Sequence, residues 1–186
     1  MGFQIEDGKG SGRHAAVNAE NQIVTFSVAE ATDRHINYTN EGVWSLPFEG
    51  IDPVGADDYF VYFKNTGTKL YAVTDIRVES SVAGTVEVHG VSGTPSYTAS
   101  ADITPVNRFL GSSKQPVATV KTDTDVTGLT SDGTLFYINC STANELFHLR
   151  TTSNIFIPPG QSFALLWDQA TGVLKGVLSV VEVELL

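Results

Sequence analysis

Valine and threonine crowd this chain, and that surplus leaves few folds open to it. The 186 residues contain 21 Val and 20 Thr against 13 Leu and 14 Ala. β-Branched side chains are stiff at χ1 and fit a pleated surface better than a helix. Here they come in short runs punctuated by 17 Gly and 7 Pro. Many short strands with Gly/Pro turns predict an all-β chain folded as an antiparallel β-sandwich or barrel. No helix of ordinary length is expected, only a short helical turn near Val106 to Leu110.

The runs can be placed. Val24, Phe26 and Val28 share one face of a strand opening at Ile23, and Val43 to Leu46 is a second strand. Tyr59 to Lys64 is a near-continuous β-prone run. Asn65-Thr66-Gly67 has turn chemistry, with Gly67 suited to a positive φ, and predicts a hairpin to the next strand. In that strand Leu70, Ala72, Ile76 and Val78 should share one face, with Tyr71, Asp75, Arg77 and Glu79 on the other. Thr85 to Val88 follows. Residues 90–131 read as long loops holding one strand at Val117 to Val120. Ser131-Asp132-Gly133 is a turn before Thr134 to Cys140. Leu146 to Leu149 and Asn154 to Ile157 are strands, and Pro158 to Gln161 is a turn. Ser162 to Trp167 and Leu174 to Val183 are expected to pair across residues 168–172. Residues 1–21, with Gly2, Gly8, Gly10 and Gly12 and no periodic apolar face, read as an extended arm preceding a single body at 22–186.

Charge and composition then exclude function classes. Eleven basic against 21 acidic residues give a net charge of −10. Such a chain gains nothing from counterion release on a polyphosphate, so nucleic acid is not an expected partner. No stretch is long and apolar enough to span a bilayer, so no membrane association is expected. The acidic start Met1-Gly2-Phe3-Gln4-Ile5-Glu6-Asp7 lacks the apolar core of a secretory signal, which predicts synthesis in the cytoplasm. A single cysteine, Cys140, precludes an intramolecular disulfide and a multi-cysteine zinc site.

Several constellations resemble chemical sites without their full pattern. Gly8-Lys9-Gly10-Ser11-Gly12 lacks the spacing, the preceding strand and the following helix of a phosphate-binding loop. Asp123-Thr124-Asp125-Val126-Thr127-Gly128 opens like a calcium loop, but its twelfth position is Thr134 rather than a bidentate Glu. Asp52, Asp57 and Asp58 belong to a stretch where seven acids face one arginine, Arg34, and read as a solvated acidic face. His14, His35, His89 and His148 form no metal-type pair. No Gly-x-Ser-x-Gly elbow occurs, and Cys140 reads as a small buried hydrophobe. Tyr38, Trp44, Tyr59, Tyr62, Tyr71, Tyr97 and Trp167 are candidates for a sugar-binding platform, though aromatics on alternating strands are mostly core. No enzyme activity, metal or cofactor is expected.

The order of parts resembles a known family. Gly8-Lys9-Gly10-Ser11-Gly12 and then Ala15 to Ile23 lead into the first strand. The chain ends with Ile155-Phe156-Ile157-Pro158-Pro159-Gly160-Gln161-Ser162 and an expected hairpin closing on Val180-Val181-Glu182-Val183. This is similar to the head decoration (cement) proteins of tailed bacteriophages, over about a quarter of the chain. Those proteins often carry a basic residue where Gln22 stands here. The resemblance implies a jelly-roll-like antiparallel β-sandwich behind the arm and a homotrimer bound to the major capsid protein. It implies a place on the outer surface of the capsid in the virion. It also implies a capsid-contacting arm that includes Gly8, Lys9, Gly10, Ser11, Gly12, Arg13, Val17, Asn21 and Ile23. A receptor- or glycan-binding module of a phage tail or head is the alternative.

Overall fold

The computed structural model describes residues 41–183, together with the backbone of 16–17 and 23–24. The chain divides into two compact units, residues 1–31 and 32–186. In the first, β1 (Ala16–Val17) pairs antiparallel with β2 (Ile23–Val24), setting Val17 opposite Ile23. The strand expected from Ile23 to Val28 is described only at those two residues.

The second unit contains β3 (Val43–Ile51), β4 (Asp58–Asn65), β5 (Leu70–Ser80), β6 (Gly84–Ser96), β7 (Ala101–Asp102), β8 (Val106–Asn107), β9 (Ala118–Thr122), β10 (Thr127–Cys140), β11 (Leu146–Ile157), β12 (Ser162–Trp167) and β13 (Leu174–Val183). They form a six-stranded sheet, β10-β6-β12-β4-β9-β7, and a five-stranded sheet, β11-β5-β13-β3-β8. Every neighbouring pair is antiparallel. The eight long strands pair as a nest: β6 with β10, then β5 with β11, β4 with β12 and β3 with β13. That nesting, rolled into two facing sheets, is a jelly roll. The all-β sandwich read from the sequence is the observed fold.

The two sheets enclose one core. Trp44, Leu46, Phe60, Phe63, Tyr71, Ile76, Phe163, Leu165, Trp167 and Leu178 sit in it with almost no exposure. Phe63 stacks on Phe163 with ring centroids 5.5 Å apart, and Phe48 meets Phe60 edge-on at 5.8 Å. Each indole finds a polar partner at the core's margin. Trp44 Nε1 donates to Lys114 O at 3.0 Å, and Trp167 Nε1 donates to Thr171 O at 2.9 Å. These bonds let the large rings be buried without an orphaned N–H.

The pairing corrects several expectations. β4 and β5 do not form a hairpin, and neither do β12 and β13; each pair is split between the two sheets. Turn residues specify that the chain reverses, but not whether it re-enters the same sheet or crosses to the facing one. Gly67 has no positive φ. Its role is steric, because a Cβ there would lie 3.1 Å from Val117 Cβ. The turn is instead fixed by buried Asn65, which accepts from Gly67 N–H and donates to Lys69 O and Ile157 O. The alternation expected along β5 holds for Ile76 and Val78 but reverses before them. Thr74 is skipped in the pairing on both sides, and this bulge turns Tyr71 and Val73 into the core.

Residues 90–131 are more regular than their composition suggests. β6 runs to Ser96 and β10 starts at Thr127. Gly93 and Gly128 permit this, since a Cβ on either would come within 2.5 Å of the opposite backbone oxygen, and both have positive φ. The turn expected at Ser131-Asp132-Gly133 is a bulge inside β10. No helix forms at Val106 to Leu110, where β8 is followed by a turn. The insert between β6 and β10 reaches the far side of the sandwich, where β9 extends β4 and β8 extends β3.

Candidate interaction surface

The two flanks of the sandwich are finished differently. On one, the sheets end in the short strands β7 and β8, which blunt the edges. On the other they end in β10 and β11, with 14 and 12 residues, lying side by side. Among the described residues no strand pairs with the outer edge of either. β10 carries a single charged residue, Asp132, so it lacks the lysines that usually protect an edge. Apolar side chains point outward along this flank. Leu135 and Tyr137 stand on β10, and Leu146 and Phe156 on β11; Tyr137 is 64% exposed and Leu146 59%. Beside Leu146 opens a shallow groove lined by Pro47, Phe48, Glu49, Glu79 and Lys175. One ion pair belongs to its lining, with Lys175 Nζ 2.8 Å from Glu79 Oε1.

A second apolar patch lies on the insert beside the blunted flank. Val106, Phe109, Leu110 and Val117 are exposed there, Leu110 to 90%. The loop that presents them is well anchored. Asn107 Nδ2 donates to Glu41 O at 2.8 Å and to Lys114 O at 3.1 Å, and its Oδ1 accepts from Phe109 N–H at 2.8 Å. Arg108 N–H donates to Val43 O at 2.8 Å. At the loop's end Lys114 Nζ reaches buried Glu182 at 2.9 Å, and Tyr71 Oη accepts from Val117 N–H at 2.8 Å. Leu110 is thus held out in water by a braced loop, at a cost that a partner surface would recover.

The residues singled out in the sequence fall elsewhere. Gly8, Lys9, Gly10, Ser11, Gly12, Arg13 and Asn21 lie outside the described residues, and Val17 and Ile23 are described only as opposite backbone partners. Among the aromatics, Trp44, Trp167, Tyr62 and Tyr71 are buried, so their faces belong to packing. Tyr59 and Tyr97 are half-buried and Tyr38 lies outside the described residues. Asp123, the first residue of the calcium-loop-like stretch, is buried. It accepts from the N–H groups of Thr98, Ala99 and Thr124, fastening the insert to β9. Asp58 accepts from Gly55 N–H at 2.6 Å. Among the described residues no His, Cys, Asp and Glu cluster could hold a metal ion. His148 bonds Asp75 on the outer face of β5 and β11. Cys140 is fully buried and its thiol is pushed up to about 11, chiefly by desolvation, so it is a packing residue.

Sequence reasoning missed both apolar patches. The one available signal was Phe109-Leu110-Gly111 within an otherwise polar stretch, which read as a helical turn. For the flank no signal existed, because exposure of Leu135 and Tyr137 depends on β10 being an edge. No family model matches the chain, and neither a curated protein nor a solved structure matches it.

Proposed function

We propose that this chain is a capsid decoration (cement) protein of a tailed-bacteriophage head. In this reading the jelly-roll body closes as a homotrimer, and the arm around Gly8 to Ile23 grips the major capsid protein on the outer surface of the shell. One observation carries the assembly part. Two unlike apolar patches, Leu135/Tyr137/Leu146/Phe156 and Val106/Phe109/Leu110/Val117, stand exposed on a body whose core is already complete. Unlike patches favour head-to-tail contact, which must close as a ring or run on as a filament. A closed ring repeated over a lattice multiplies weak attachments into avidity. The attachment part rests on the sequence resemblance. A net charge of −10 suits a subunit kept away from packaged DNA. The glycan-binding alternative needs exposed ring faces, and four of its seven candidate aromatics are spent in the core.

Quantitative mass spectrometry of purified particles tests the reading. The expected result is hundreds of copies of this chain per particle relative to the major shell protein. Deleting residues 1–21 should leave a folded body that no longer co-purifies with shells. A handful of copies would point to a tail or receptor-binding role, and absence from particles would end the virion reading.

A further inference from the structure

The outer face of the six-stranded sheet carries a polar cluster that the assembly reading leaves unused. Glu87 and His89 point outward on β6, alternating with the core residues Val86 and Val88, and His89 is buried. Ser131 and Thr134 reach it from β10. There the pairing skips Asp132, so that Ser131 sits opposite Val91 and Gly133 opposite Gly90. Bulges of this kind re-aim side chains next to functional sites.

The hydrogen bonds select one tautomer of the neutral imidazole. His89 Nε2 lies 2.8 Å from Glu87 Oε2 and 3.0 Å from Thr134 Oγ1. A carboxylate only accepts, so in the neutral ring Nε2 carries the hydrogen and Nδ1 presents a lone pair. Ser131 Oγ is 2.9 Å from Nδ1, and Tyr59 Oη is 3.0 Å from it. Ser131 Oγ already accepts from Gly133 N–H at 3.2 Å. With the Tyr59 O–H turned to Ser131 Oγ, the Ser131 hydrogen is the one that points at the single Nδ1 lone pair. The order hydroxyl, imidazole, carboxylate is that of a serine nucleophile, its base and an orienting acid, whatever fold presents it. Ser131 stands at the exposed end of this relay and His89 at the buried one.

We propose that Ser131 is a nucleophile activated by His89, that Glu87 is the positioning residue for the imidazole, and that the site hydrolyses neutral carboxylic esters. Ser131 Oγ adds to the ester carbonyl carbon as its proton passes to Nδ1. The bond from carbon to the leaving oxygen then breaks, and that oxygen leaves as an alcohol with the proton from Nδ1. Water adds to the acyl-serine, giving its proton to Nδ1. The acyl carbon leaves Oγ as a carboxylic acid, and Ser131 is reprotonated. Tyr59 O–H and Gly133 N–H, both already at Ser131, are the donors placed for the carbonyl oxygen as it gains charge. Tyr59 stays a donor because burial, against the bond to Ser131 and with the charges of Glu87 and Asp132, raises its pKa. Glu87 and Asp132 beside the serine disfavour anionic esters, which sets the substrate class.

A fluorophosphonate probe on the isolated full chain tests this, independently of whether the chain assembles or binds a shell. The expected result is one covalent adduct per chain, mapped to Ser131. A burst of one acetyl per chain should also appear with p-nitrophenyl acetate. Ser131→Ala, at an exposed position that tolerates truncation, should abolish both. His89→Gln should slow labelling on the order of 10²-fold or more. No adduct, an adduct on another serine, or equal labelling in His89→Gln would mean that the cluster only anchors the bulge and would overturn the proposal. Should His89→Gln fail to fold, the site and stoichiometry of labelling in the wild type and Ser131→Ala still decide.

Discussion

Glu182 shows how a single residue can be both legible and misleading. In the sequence it is a polar interruption in Val180-Val181-Glu182-Val183 near the end of the last strand. In the fold it is buried, opposite Tyr71, at the end of the core that Trp44 closes. Burial alone would raise its pKa. Hydrogen bonds at 2.8 Å from Lys69 Nζ and 2.9 Å from Lys114 Nζ, with the charges of both, outweigh it and leave the carboxyl below its ordinary 4.5. A group depressed by folding stabilises the native state fully above its unfolded value and loses that contribution as pH falls through the folded one. Glu182→Gln should therefore cost about 1–2 kcal/mol at pH 7. That is less than for a fully buried pair, because both lysines remain partly in water. The gap between wild type and variant, read from urea midpoints, should shrink as pH falls below 4.5 and close once the native carboxyl is protonated. A gap unchanged at pH 3 would show that shape rather than charge is at work. The same residue ties β13 to the base of the 106–117 loop, so it braces the second apolar patch from beneath.

At the scale of elements, strands were legible and their partners were not. Runs of β-prone residues locate β12 and β13 to the residue and β4 to within one at each end, while β9 begins one residue later and ends two later than its run suggests. Pairing depends on sheet membership, which no local pattern records. Asp168 to Gly172 reads as a hairpin turn and is in fact a corner between sheets. The bulge at Thr74 reversed the faces of Tyr71 and Ala72 for the same reason: the register is set by β11 and β13, far away in sequence. The candidate surface was illegible because an edge is a property of the whole sheet. That same property makes it testable. Leu110→Asp damages the loop patch alone, and Tyr137→Lys damages the flank alone. Both sites are exposed, so each variant should keep its stability within about 0.5 kcal/mol. A head-to-tail ring predicts that each variant is monomeric by light scattering, and that a mixture forms a heterodimer through the one undamaged pair of patches. A two-fold edge-to-edge dimer instead predicts that Leu110→Asp leaves assembly intact while Tyr137→Lys abolishes it.

For the whole molecule, the nest of strand pairs decides how the native state opens. Most ladders join residues distant in sequence, so topology alone predicts folding in milliseconds to seconds rather than microseconds. The far flank, finished by two-residue strands, is the place for local opening. The flank formed by β10 is an edge too, but it belongs to the innermost pair of the nest and is bonded to β6 from Thr127 to Cys140. Ile138 and Cys140 insert from it into the common core. Exposing Cys140 thus requires the two sheets to part as well as the ladder to break. Its thiol reacts only when opened, since burial both covers it and pushes its pKa up to about 11. As the chain has one cysteine, a thiol reagent reads this event alone. The labelling rate at pH 8 should rise with urea at the slope of global unfolding, about 2 kcal/mol per molar or more for a chain of this size. A markedly shallower slope would mean that β10 peels from β6 while the rest stays folded. The flank proposed as an interface would then be a mobile strand, and assembly would have to stabilise it rather than merely cover it.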